Sequence, residues 1–135
     1  MTVVALVLAA LASLIHVYIF VMESLVWTGP RARKTFGTTV EEAQTTKALA
    51  FNQGFYNLFL AVVTVIGIVF IASGNAADDA TAAAVGAALL FTGAGSMVLA
   101  GTVLLLSSSD KRRAALVQAV PPLLAVVALL IAVVG

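Results

Sequence analysis

Four long apolar runs alternate along the chain with three short polar ones, TGPRARKTFGTTVEEAQT, SGNAADD and SSSDKRR. Each apolar run reaches the roughly 20 residues that carry an α-helix across a bilayer, and none holds more than one charged residue. The pattern predicts an all-α fold, a four-transmembrane-helix bundle forming a single domain over residues 1–135. The spans are expected at about residues 3–27, 46–71, 80–106 and 114–134, from hydrophobic run length alone. A short amphipathic segment is expected near residues 39–46, because Thr39 and Glu42 have the spacing of a capping box. Pro30 and Gly37 mark a turn before it, and Pro121 and Pro122 predict a bend in the fourth helix with freed backbone carbonyls.

Composition excludes the soluble alternative: 62% of residues are hydrophobic and 10% charged, too few charges to cover a water-soluble domain. The N-terminal run lacks a basic leader and outlasts a cleavable signal, so it is read as the retained first span. Charge placement then sets an orientation. Arg31, Arg33, Lys34 and Lys47 flank or fill the first polar run and Lys111, Arg112 and Arg113 the third, whereas the second carries only Asp78 and Asp79. The positive-inside rule predicts that the first and third loops are cytoplasmic and both termini extracytoplasmic, in a multi-pass protein of the inner (plasma) membrane. No basic surface large enough for nucleic acid exists, and the absence of cysteine rules out disulfides and thiolate metal sites.

Candidate chemistry lies in the polar side chains inside the spans. The first carries His16 and Glu23, the second Asn52, Gln53 and Asn57 beside Tyr56, and the fourth Gln118. Such groups need partners in hydrocarbon and should face the bundle interior. Their depths predict an outer polar layer of Glu23, Asn52, Gln53 and Gln118, and a deeper one of His16 with Asn57. Together they would form a polar pocket on the cytoplasmic side, with Trp27 and Tyr56 as aromatic walls. Interhelical hydrogen bonding alone is the simpler role for the amides. No cofactor or metal is expected, since one His and one Glu fall short of a ligand set, and neither a phosphate-binding loop nor a G-x-S-x-G motif occurs. Small residues including Gly54, Gly86 and Gly93 suit close helix packing, either within the chain or in a homodimer.

Three functions fit. The first is binding or transport of a small amphipathic or lipid-like molecule, with membrane lipids as partners. The second is an intramembrane enzyme in which His16 and Glu23 exchange protons with an isoprenoid, sterol-like or quinone substrate, and the third a structural or assembly subunit.

The segments HVYIFVMESLVW (residues 16–27), TGPRARKTFG (28–37), KALAFNQGFYNLFLA (47–61) and VQAVPPLLA (117–125) resemble the small bacterial integral membrane proteins of the DUF1304 family over essentially the whole chain. The resemblance implies four spans and no established activity. It implies that His16, Glu23, Trp27, Asn52, Gln53, Gly54, Tyr56, Asn57 and Gln118 are characteristic positions. Pro122 departs from the pattern, where a small residue such as alanine is expected.

Overall fold

Backbone groups in hydrocarbon have only one another to bond, and the chain answers with helices throughout. A computed structural model describes all residues, Met1–Gly135. Helix α1 (Thr2–Phe20) passes into a π-turn (Val21–Leu25), followed by two short helices, α2 (Pro30–Phe36) and α3 (Val40–Thr45). Then come α4 (Lys47–Ala77), α5 (Ala80–Ser107), a 3-10 turn (Ser109–Lys111) and α6 (Arg112–Val134). Four stretches, Thr2–Leu25, Lys47–Ala77, Ala80–Ser107 and Ser109–Val134, are long and apolar enough to cross a membrane. The protein is an all-α, multi-pass integral membrane protein. Within the bundle α4 packs between α1 and α5, and α6 closes the square on the other side, leaving α1 and α5 on the diagonal.

Several boundaries differ from expectation, each for a local reason. The first span was expected as one helix to Trp27, but α-helical geometry stops at Phe20 and Trp27 lies beyond the π-turn. The second continues through SGNAA to Ala77, where Asp78 takes the left-handed conformation (φ 53°) and Asp79 caps α5 by accepting from the Thr81 and Ala82 N–H groups. The expected turn after Trp27 contains α2, stopped by left-handed Gly37 (φ 68°). Thr39 and Glu42 complete a reciprocal capping box at α3. The two prolines do not interrupt α6. They remove only the bonds to the carbonyls of Val117 and Gln118, four residues back, and membrane helices tolerate that loss where neighbouring groups re-satisfy the backbone.

Packing is inside-out relative to a soluble bundle. Ala5, Ala9 and Ala12 of α1, Ala61 of α4, Ala94 of α5 and Ala125 and Ala128 of α6 fill the interior, while Leu99, Leu106 and Val134 point outward. Lipid tails are as apolar as leucine, so large side chains gain little by turning inward, whereas small ones let helices approach. Gly67 and Gly86 bring α4 and α5 into backbone contact. A Cβ on either would stand 2.8 Å from the other's carbonyl oxygen, and one on Gly86 would also stand 2.6 Å from the Ile71 nitrogen.

Gly86→Ala is therefore expected to lower unfolding stability in micelles by about 1–3 kcal/mol through overpacking. Gly95→Ala, whose Cβ would meet nothing within 4 Å, should stay within about 0.5 kcal/mol of the parent. Equal effects would contradict the close approach of α4 and α5.

Candidate functional site

The π-turn places a carboxyl group inside the bundle. Its i to i−5 bond, Val26 N–H to the Val21 carbonyl at 3.1 Å, inserts a residue into the helical path; such bulges occur frequently at functional sites. Glu23 on this turn is buried, and no other charged residue is. Asn57 Nδ2 donates to Glu23 Oε2 at 3.0 Å and to the Gln53 carbonyl at 3.1 Å. One turn toward the helix start, Ser24 Oγ donates to the Phe51 carbonyl at 2.8 Å. Both contacts depend on Gly54: a Cβ there would stand 3.0 Å from the Ser24 nitrogen and 3.1 Å from the Glu23 Cβ. Glycine lets the π-turn seat directly on α4.

His16 lies two turns deeper on the same buried stripe of the first span. Its Nδ1 stands 2.9 Å from the Ala12 carbonyl. A carbonyl only accepts, so Nδ1 carries a proton in this contact. The buried residues Ser13 and Thr64 donate their hydroxyls to their own helices.

The expected polar layers do not assemble as such. Asn57 pairs with Glu23 and not with His16. Asn52 and Tyr56 are exposed on the outside of α4, because Asn52 lies five residues from Asn57, about 140° around the helix. Gln118 is half-buried on α6, which packs against α1 and α5, and makes no hydrogen bond to the other candidates. Only Gln53 and Asn57 remain linked to Glu23, one through its carbonyl and one through its amide.

A second cluster forms just outside the π-turn. Trp27 packs on Phe36 with ring centroids 5.1 Å apart at 49°. Its Nε1 donates to Thr46 Oγ1 at 3.1 Å, and Thr46 Oγ1 donates to the Glu42 carbonyl at 2.6 Å, which fixes the indole against α3. These residues wall a pocket of about 400 Å³, together with Thr38, Gln53 from α4, and Asp110 and Lys111 from the turn before α6. The Thr38 hydroxyl oxygen is buried without a hydrogen-bond partner, the one side-chain atom in the chain so placed.

Of the candidates read from sequence, Trp27 and Gln53 line this pocket; His16, Glu23, Asn52, Tyr56, Asn57 and Gln118 do not. Phe36, Thr38, Glu42, Asp110 and Lys111 were not anticipated as pocket residues. Their only advance signal was the capping box at Glu42 and the crowding of charge into two loops. The Thr39 backbone N–H, then its hydroxyl, hold the Glu42 carboxyl below the usual carboxylate range, and the nearby Lys111 charge adds to this. A separate depression of about 430 Å³ between α5 and α6 has no charged lining residue. No three acidic or imidazole side chains converge to hold a metal ion.

The chain matches the family described as "Protein of unknown function (DUF1304)" over residues 10–130. It belongs to the DUF1304 family. The matched region includes the Glu23 cluster and the whole mouth pocket, and reaches all four membrane helices of this DUF1304 protein. No curated protein and no solved structure matches the chain.

Asn57→Ala leaves the Glu23 carboxyl without its amide donor and is expected to cost about 1–3 kcal/mol of unfolding free energy in micelles. Combined with Glu23→Leu, the loss should fall well short of additive; strict additivity would deny the pairing. The capping box makes a separate prediction. Glu42 has a folded pKa below its unfolded value, so it stabilises α3 above the ordinary carboxylate range and loses that contribution as pH falls through the lowered value. Trp27 emission should therefore change on acidification, and Thr39→Ala should remove most of this change.

Proposed function

We propose that this DUF1304 protein binds a small amphipathic, lipid-like molecule through a cationic head in the mouth pocket. The observation that carries the reading is the lining: an aromatic wall of Trp27 and Phe36 beside Glu42 and Asp110, with Lys111 opposing them. Two carboxylates against one ammonium favour a cation, and aromatic faces attract one further where water is thin. A pocket of about 400 Å³ falls within the usual range for small ligands. Its position at the end of the first span, beside Trp27, is the level at which amphipathic molecules sit in a bilayer.

The basic residues Arg31, Arg33, Lys34, Lys47, Lys111, Arg112 and Arg113 all belong to the two loops at this end or flank them. By the positive-inside rule this end faces the cytoplasm, both termini lie outside, and the membrane is the cell's inner membrane. Glu23 does not line the pocket but is joined to a residue that does, Gln53, through the Asn57 amide. It supplies a counter-charge for a head group moving inward, which extends the reading from binding to transport. His16 and Glu23 do not line the pocket, so this reading is favoured over proton-transfer catalysis by that pair.

Trp27 is the only tryptophan, so its emission reports directly on the site. Titration of dodecylammonium into purified protein in micelles should give a saturable emission change. Glu42→Gln and Asp110→Asn should each weaken the apparent affinity by about two- to fivefold, as expected for exposed charge pairs. A non-saturable change that is identical in both variants would reduce the effect to detergent partitioning and end the proposal.

A further inference from the structure

The charges around the pocket do not neutralise one another. Glu42 and Lys111 both line it, and Lys111 is near enough to act on the Glu42 carboxyl, yet the two form no ion pair. Asp110 adds a second unpaired carboxylate. A simple cation answers the two carboxylates but leaves Lys111 without a counter-charge. Together these charges suit a ligand that itself carries both signs.

Three further observations bear on the anionic half of such a ligand. Thr38 lines the pocket, and its hydroxyl oxygen is closed off and unpartnered, so that a ligand meets it once the side chain rotates; a buried polar group in that condition calls for an explanation. The Gln53 side-chain amide lines the pocket and makes no hydrogen bond within the chain. Among the basic residues of the first loop, Arg33 Nε donates to the Thr28 carbonyl at 3.3 Å and Arg31 lies over the Tyr18 ring at 5.7 Å. Lys111 is thus the cation that lines the pocket, with a hydroxyl and an amide to complete an oxyanion site.

Resting on the binding reading above, we propose that the ligand is a zwitterionic phospholipid whose phosphodiester meets Lys111, Thr38 and Gln53 while its ammonium meets Glu42, Asp110 and the Trp27–Phe36 wall. The lipid source follows from the pocket's place at the membrane boundary. Acyl chains leaving it pass directly into the surrounding bilayer, and the remaining loop cations sit at headgroup level.

The test uses the full chain in maltoside micelles with Trp27 emission as readout, and Trp27→Phe as the silent control. Four probes are titrated: dihexanoyl-phosphatidylethanolamine, dihexanoyl-phosphatidylglycerol, dodecylammonium and glycerophosphoethanolamine. The ethanolamine lipid should bind saturably and at least tenfold more tightly than the glycerol lipid. Lys111→Gln should weaken the ethanolamine lipid about tenfold and leave dodecylammonium unchanged or tighter, whereas Asp110→Asn should weaken both. Saturable dodecylammonium binding with no preference for the ethanolamine lipid, or no effect of Lys111→Gln, would overturn the zwitterion proposal and leave the cationic-head reading standing. Failure of every probe would overturn both. Equal affinity for glycerophosphoethanolamine would overturn the membrane-lipid source.

Discussion

A carboxyl group inside a helical membrane bundle must have a hydrogen-bonding partner, and the bond from Asn57 to Glu23 is the constraint around which this half of the protein is built. To bring Glu23 within reach of α4, the first span gives up α-helical geometry for a π-turn, and Gly54 gives up its side chain so that the turn can seat. Ser24 then bonds the Phe51 carbonyl and fixes the register of the two spans. The same turn ends the span and throws the chain outward at Trp27, so the position of the aromatic wall follows from how the acid is buried.

The other half of the bundle obeys a different rule. Between α4 and α5 no polar side chain is required; Gly67 and Gly86 allow backbones to touch, and the contact is dispersion between closely packed atoms. A bundle so made has little hydrophobic drive of its own in lipid, which explains why its interior is rich in alanine while Leu99, Leu106 and most other large side chains face outward, Leu90, Met97 and Leu129 being among the buried exceptions. One end is thus specified by directional hydrogen bonds and the other by shape.

How much of this was legible in the sequence depended on the physics behind each signal. Four spans were legible because the cost of burying charge in hydrocarbon is large, and every run that avoids charge declares itself. The capping box was legible because its spacing is local. The partner of Glu23 was not legible: depth groups Asn57 with His16 and sets Asn52, Gln53 and Gln118 beside Glu23, whereas Asn57 is the amide that bonds it. What escaped was angular. The π-turn shifts the phase of the first span, and Asn52 and Tyr56 point to the outside of α4, so depth alone could not assign partners. Gln118 sits at the right depth on a helix that packs against the far side of α1. The mouth pocket escaped for another reason: Thr38 and Glu42 come from the first polar segment and Asp110 and Lys111 from the third, and no periodicity links the two.

Gln53 connects the two clusters, and this has a thermodynamic consequence. Its side chain lines the pocket while its carbonyl accepts from the same Asn57 amide that holds Glu23. Under the binding role proposed above, a ligand that displaced Gln53 would change the acceptor available to Asn57, and with it the bond to Glu23. Linkage is reciprocal: whatever ligand binding does to Glu23, a change of charge on Glu23 does to ligand affinity by the same factor. The buried acid that orders the end of the first span and the residue that reaches the pocket thus share one amide on a single turn of α4, so the two clusters are set in register by the same side chain.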